Sequence, residues 1–305
     1  MSRTQILNAH LALLLVNVLY GANHVLAKGV MPRYLDPNTF ILLRVSGATL
    51  LFWILLSMQK RKPIERTDYW RFVAAGLFGV AVNQLFFFHG LNLSSAFNAG
   101  IIMALNPVMV VVLSAILMKE KLKFQGYFGI ALGAVGAILL TISSGKLPGS
   151  SSIGDLYLLI NAFSYALYLV LSKPLLQKYS PIQVITYVFS IGLILLLLFP
   201  PTWTQLGAAQ FNLIPAEAWY KITYVIVGVT FLTYLLTIFG LKYVSATISS
   251  AYIYTQPVMV AIFTFVFAYI GWADDFSNTI TSERILYMLL IFTGVYLVSL
   301  RKPRP

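Results

Sequence analysis

A segment of 21 residues occurs twice in this chain, 150 positions apart. Gly90–Val110 aligns with Gly240–Val260 without a gap and with eight identical residues, and both copies end in Pro-Val-Met-Val. Each copy places an amide residue directly before that proline, within an apolar run. Proline removes a backbone hydrogen bond and disfavours helical geometry in the residue before it. The repeat therefore predicts two related halves, each with a polar break inside an apolar segment.

Apolar runs of roughly 17–24 residues recur along the whole chain, and each is long enough to cross a hydrocarbon core of about 30 Å. With 59% hydrophobic and only 10% charged residues, the composition is far from that of a soluble protein. Glycines at four positions of the fifth run predict close packing against another helix. We expect an all-α integral membrane protein with ten transmembrane helices, at about 9–28, 38–57, 70–89, 96–118, 124–142, 154–172, 182–200, 219–240, 246–271 and 284–300.

The positions of the basic residues predict the orientation of these spans. If the N-terminus is cytoplasmic, 15 of the 21 Lys and Arg residues lie on the inside and five on the outside, with Arg44 inside span two. This distribution follows the positive-inside rule, so both termini are predicted to be cytoplasmic. It also assigns the net charge of +12 to membrane topology and not to nucleic-acid binding.

Five spans in each half make the second half enter the membrane from the opposite side. The two repeats, residues 1–145 and 150–305, are therefore predicted to have inverted topology. Because inverted repeats offer two nearly equivalent packings, they favour a secondary transporter that works by alternating access.

Polar side chains within the spans mark a candidate binding region, because such groups are costly in lipid and face protein or water. Asn17, Tyr20 and His24 lie on one face of span one by their spacing. The alternative role for any one candidate is to hold helices together. As a set, we expect them to line a central cavity for a small zwitterion or polar metabolite with an apolar part. The further candidates are Asn83, Gln84, Met103, Asn106, Asn161, Tyr165, Tyr168, Tyr234, Tyr252 and Gln256.

Four other residues have more specific predictions. Pro107 and Pro257 should kink or unwind spans four and nine, either as hinges or as fixed kinks. His24, with an ordinary pKa of about 6.5, either couples transport to protons or stays neutral and donates to a carbonyl. Arg44 has no acidic residue inside any span to pair with, so it either extends to the outer headgroups or meets an anionic ligand group.

The sequence contains no catalytic constellation. Its nine acidic residues lie in loops or at span ends, its three histidines are scattered, and it has no cysteine. It also lacks a phosphate-binding loop ending in Gly-Lys-Ser/Thr. We expect neither an enzyme, nor a metal site, nor a cofactor. A receptor or lipid-handling protein is the non-transporting alternative, but the chain has no segment large enough for a soluble sensing domain.

Several features of the sequence together match a known family. They are the pairs Asn106-Pro107 and Gln256-Pro257, Arg44 early in span two, Lys119-Glu120 at the end of span four, and the glycines of span five. With the ten spans and the repeat, they resemble the EamA branch of the drug/metabolite transporter superfamily, over essentially the whole chain. The resemblance implies export of small metabolites, amino acids among them, across the inner membrane through a cavity between the halves. A carrier of nucleotide sugars or other anionic metabolites is the alternative within that superfamily.

Overall fold

The computed structural model describes residues 3–27, 30, 34–93, 102–103, 105–119, 123–143, 152–269 and 282–299. In these residues the chain forms helices and turns, and no strand. A helix occupies each of the ten predicted spans. They are α1 (Arg3–Ala27), α2 (Pro37–Ser57), α3 (Arg66–Leu93), α4 (Asn106–Met118), α5 (Phe124–Ser143), α6 (Ser152–Lys178), α7 (Pro181–Leu197), α8 (Ala216–Tyr243), α9 (246–269) and α10 (Ser282–Ser299).

The lengths and surfaces of these helices suit a membrane. Among the residues described, α2, α3, α6 and α8, with most of α1, are long and apolar enough to cross a bilayer. The helix α7 and a short helix, Pro200–Ala208, form a pair bent by 77°. Large apolar side chains are exposed along the outer faces, for example Leu7, Leu11 and Leu15 of α1. Such a surface is expected of helices whose surroundings are lipid.

Several helices begin as their sequences predict. Proline occupies the first turn of α2 and α7, where its missing N–H costs nothing. The Ser180 hydroxyl caps α7 by accepting a hydrogen bond from the Gln183 amide at 3.2 Å. Ser245 caps α9 in the same way, at 3.2 Å from the Ile248 amide. These caps fix where α7 and α9 begin.

The two halves pack against each other in a pattern that repeats itself. The helix α1 packs against α8 and α9, and its counterpart α6 packs against α3 and α4. The second helices of the halves, α2 and α7, contact each other, as do the fifth helices, α5 and α10. Gly90 of α3 lies close to Leu158 of α6, while Gly240 of α8 lies close to Leu13 of α1. Because positions 90 and 240 are 150 residues apart, the repeat of the sequence is also a repeat of the packing.

The helices α5 and α10 approach each other closely through their backbones. A Cβ atom placed on Gly294 would be 2.6 Å from the Gly129 carbonyl oxygen and 2.6 Å from the Gly133 nitrogen. Only glycine allows two backbones to approach this closely. The predicted packing role is therefore confirmed for Gly129 and Gly133 of span five.

A buried carboxylate joins the two halves at one end of the bundle. Asp68, at the start of α3, has a side chain that is 1% exposed. It accepts hydrogen bonds from Lys178 Nζ at 3.0 Å, from the Tyr179 hydroxyl at 2.9 Å and from Arg71 Nη1 at 3.1 Å. Removal from solvent raises the pKa of the Tyr179 phenol, which keeps its proton and its role as a donor.

A second set of bonds lies beside this carboxylate. The Lys62 amide donates to Gln183 Oε1 at 3.1 Å, and Gln183 Nε2 donates back to the Lys62 carbonyl at 2.6 Å. The Glu65 amide donates to the Tyr179 hydroxyl at 3.0 Å. We call this whole set the polar latch: Lys62, Glu65, Asp68, Lys178, Tyr179 and Gln183. It ties the connection before α3 and the first turn of α3 to the end of α6 and the start of α7.

Candidate functional site

Two π-helical segments lie at corresponding places in the two halves. They are Leu77–Ala81 in α3 and Val225–Leu232 in α8, and a shift of 150 places the first inside the second. A π-helical turn disturbs the regular hydrogen bonds of an α-helix and often marks a functional site. Here side chains bond backbone carbonyls of the segments: Ser164 Oγ donates to the Phe78 carbonyl at 2.9 Å, and Thr230 donates to the first carbonyl of its own segment at 2.8 Å.

The residues just after these segments meet at the centre of the molecule. Gln84 Nε2 donates a hydrogen bond to the Tyr234 hydroxyl at 2.8 Å. That hydroxyl lies 3.2 Å from both Asn83 Oδ1 and the Gly79 carbonyl oxygen, either of which accepts its proton. Positions 84 and 234 are related by the 150-residue repeat. Two equivalent positions can touch only at the axis that relates the two halves, so this bond marks that axis.

Two further amides attach α6 to the same centre. Asn161 Nδ2 donates to the Asn83 carbonyl at 2.8 Å, and Asn106 Nδ2 donates to the Ala162 carbonyl at 2.6 Å. The Asn106 side chain is buried, and within the described residues its Oδ1 has no hydrogen-bond partner. A buried oxygen without a donor is costly, so this atom is available to a ligand.

Tyrosine rings surround these amides on one side. The Tyr168 ring centre is 5.8 Å from that of Tyr165 and 6.1 Å from that of Tyr234. Tyr168 packs directly onto Gly79, where a Cβ atom would overlap its ring. Its hydroxyl is buried and has no hydrogen-bond partner in the described part of the chain. Ring faces and a free hydroxyl suit a ligand that has both apolar and polar parts.

Arg44 enters the centre from α2. Its side chain is only 4% exposed, Nε donates to Thr230 Oγ1 at 3.0 Å, and the guanidinium lies 4.7 Å above the Phe88 ring. An arginine that extended to the headgroups would be exposed, so that alternative for Arg44 is wrong. From the other side, the Thr233 hydroxyl lies 3.3 Å from the Tyr20 hydroxyl and brings α1 into contact with the centre.

The predicted candidates therefore divide into two groups. Asn17 donates to the Leu13 carbonyl of its own helix at 2.7 Å, and Tyr252 pairs with His10 at 2.8 Å, away from the centre. Met103 and Gln256 are half-buried. The side chains of His24 and Pro257 lie outside the described residues. The candidates that the structure brings together are Tyr20, Asn83, Gln84, Asn106, Asn161, Tyr165, Tyr168 and Tyr234.

The proline-containing segments lie where helices start or change type. Pro107 is in the first turn of α4, where proline is tolerated. In the second half a 3-10 turn, Tyr252–Thr255, comes directly before Gln256 and interrupts α9. Whether either place acts as a hinge stays a prediction.

One residue of the centre is not found by sequence analysis. Thr230 holds Arg44, and its signal in the sequence is a single hydroxyl in the apolar run Val225–Leu232. In the part of the chain that the structure describes, no three His, Asp or Glu side chains come together in a way that could hold a metal ion.

The chain consists of two five-helix halves with apolar outer faces and a polar centre on their common axis. These features define a helical membrane protein with an internal repeat. Comparison with known proteins identifies its family. Residues 7–142 and residues 152–300 each match the EamA-like transporter family, so the chain belongs to that family and is a membrane transporter.

Similar proteins agree with this assignment. The chain is 27% identical over 295 residues to a Bacillus subtilis (strain 168) protein named uncharacterized transporter YyaM, covering 95% of this chain and 94% of that one. It is 24% identical over 298 residues to an uncharacterized transporter of Archaeoglobus fulgidus, covering 96% and 98%. A crystal structure with 19% sequence identity superimposes with a TM-score of 0.72 over 97% of this chain and 96% of the other, which shows that the two share the fold.

Proposed function

We propose that this transporter is a secondary carrier that exports a small organic metabolite, an amino acid or a related compound, across the cytoplasmic membrane. The observation that carries the proposal is the hydrogen bond between Gln84 and Tyr234 on the repeat axis. A substrate bound there is contacted by both halves at once. A movement of one half against the other then exposes the same site to one side of the membrane and afterwards to the other.

The chemistry around this bond supports a substrate with a polar head and an apolar part. Amide groups of Asn83 and Asn106 and the hydroxyls of Tyr168 and Tyr234 supply hydrogen bonds, while tyrosine rings supply apolar faces. These groups are neutral, so they suit a zwitterion or an uncharged metabolite better than a multiply charged one.

Two structural features support alternating access. The π-helical segments of α3 and α8 flank the axis. A helix can bend at such a segment through a small rearrangement of its backbone hydrogen bonds, which is the kind of movement that alternating access needs. The polar latch closes one end of the bundle between the halves. With the N-terminus in the cytoplasm, as the distribution of Lys and Arg predicts, this end is the cytoplasmic one. Opening the latch then gives cytoplasmic access.

The test is counterflow exchange in proteoliposomes with a panel of labelled amino acids and related metabolites. Gln84→Ala and Tyr234→Phe should each lower the exchange at least tenfold, because each removes the hydrogen bond that joins the two halves on the axis. Tyr254→Phe is the matched control, since Tyr254 is a buried tyrosine that packs among apolar residues of α9 and α10. Wild-type exchange in both axis variants would refute the assignment of the site.

A further inference from the structure

We propose that Arg44 binds the carboxylate of the transported substrate, so that the substrates are small organic monocarboxylates. This inference rests on the proposed function and narrows its substrate class. The observation that supports it is the buried positive charge of Arg44, which has no counter-ion among the described residues.

The first step is the burial of Arg44. With 4% of its surface exposed, its guanidinium faces neither lipid nor water. Among the described residues four ion pairs are formed, and none includes Arg44. The nine acidic residues of the sequence all lie in loops or at the ends of spans. A buried cation without a partner is strongly unfavourable, so an anion that arrives from outside the protein is expected to bind there.

The second step is the way in which the guanidinium is held. Nε is fixed by Thr230 at 3.0 Å, and the Phe88 and Phe40 ring centres lie 4.7 Å and 5.5 Å from Cζ. These contacts are all neutral, and in the described part of the chain they use one of the five N–H donors of the side chain. The two terminal nitrogens are left with the fork geometry that binds a carboxylate through two parallel hydrogen bonds.

The third step is the position of Arg44 relative to the centre. Thr230, which accepts the hydrogen bond from Arg44, lies four positions before Tyr234 in α8. The neighbouring Thr233 contacts the Tyr20 hydroxyl, so Arg44 is held beside the hydrogen-bonded centre on the axis. A carboxylate on the guanidinium therefore has the phenol groups beside it. The rest of the substrate is then placed toward the rings of Tyr165 and Tyr168.

The net charge of the site selects a monocarboxylate. Arg44 is the one Lys or Arg that lies away from the end of a predicted span, so the site offers a single positive charge. A carboxylate neutralises it, whereas a phosphate dianion or a nucleotide sugar diphosphate leaves an excess negative charge in a medium of low polarity.

The experiment compares pairs of probes that differ only at the carboxylate. Labelled leucine, phenylalanine and threonine are exchanged by counterflow, each in competition with the unlabelled acid and with its amide. In the wild-type protein the acid should compete at least tenfold better than the amide. Arg44→Gln should reduce this preference to less than about threefold, and Arg44→Lys should keep part of it, since a lysine retains the charge but loses the fork. Arg66→Gln is the control, because Arg66 is exposed.

The outcomes separate this inference from the proposed function. Exchange of an amino acid with an unchanged preference in Arg44→Gln overturns the role of Arg44 and leaves the amino-acid carrier standing. Exchange of lactate or benzoate, but of no amino acid, supports Arg44 and overturns the amino-acid proposal. Absence of exchange for both panels overturns both.

Two measurements keep the test valid if Arg44→Gln does not fold. The wild-type protein alone must prefer acid to amide, and equal competition refutes the inference. Thr230→Val removes the anchor of Nε while keeping the arginine, so it should raise the KM for the acid several-fold and leave the KM for the amide unchanged. An equal rise for both probes would indicate a structural role only.

Discussion

Replacing Gly294 by alanine tests the contact between α5 and α10. The new Cβ would lie 2.6 Å from both the Gly129 oxygen and the Gly133 nitrogen, about 0.8 Å inside ordinary contact distance. Because both neighbours are backbone atoms, no side chain can turn aside, and the two helices must separate. Overpacking of this kind costs roughly 3 kcal/mol at its upper end. Alanine is favoured over glycine in a helix by about 1 kcal/mol, so the net destabilisation is about 2 kcal/mol.

This loss should appear as a melting temperature lower by about 4–8 °C in a detergent thermal-unfolding assay. Gly207→Ala is the matched control, because a Cβ there meets no atom within 4 Å. Gly207 lies in the short helix Pro200–Ala208, where alanine should leave the melting temperature unchanged or raise it slightly. If Gly294→Ala behaves like the control, the two backbones do not approach as described. Since none of the residues assigned to the binding centre lies in α5 or α10, the KM for substrate should not change.

Three other predictions concern the latch, a helix end and proton coupling. Asp68→Asn should speed hydrogen exchange of the Lys62 amide by about tenfold or more, because it weakens the buried part of the latch. Glu65→Gln, which neutralises an exposed carboxylate, should change the same rate less than about threefold. Equal effects of the two substitutions would show that the burial of Asp68 does not matter to the latch. Lys173→Met should lower the melting temperature by several degrees relative to Lys173→Arg. The reason is that Lys173 Nζ donates at 2.5 Å to the carbonyls of both Leu241 and Val244, at the end of α8. Equal melting temperatures of the two variants would show that Lys173 does not stabilise this helix end. His24→Ala should abolish any stimulation of counterflow by an imposed pH gradient, and stimulation that persists would remove His24 from proton coupling.

The helical fold and the internal repeat could be predicted because both follow from local patterns in the sequence. Apolar runs of membrane length show in hydropathy, and the 150-residue offset shows by direct alignment. The same offset related Gln84 to Tyr234, and the structure joins them. This long-range contact could be anticipated because the two residues occupy the same position in the two repeats.

Other features depend on contacts that no local pattern records. The π-helical segments differ from an α-helix in which backbone carbonyl accepts the hydrogen bond from each amide. Apolar residues such as those of Leu77–Ala81 are compatible with either hydrogen-bond pattern. The polar latch joins residues about 115 positions apart through loops, whose paths the sequence does not specify. Asn17 has the spacing of a lining residue, yet its amide nitrogen bonds its own helix, because the carbonyl one turn back lies within reach of a short amide side chain.

The contact between Gln84 and Tyr234 has a further consequence for energetics. In a perfectly symmetric dimer, a residue on the two-fold axis meets an identical copy of itself. Joining the two halves in one chain removes that restriction, and here an amide donor faces a phenol. In the alternating access that we propose, the exchange of roles between the halves is therefore not neutral in free energy. We expect a single substitution at either position to change how far the protein prefers to face one side of the membrane, without touching any residue at the membrane surfaces.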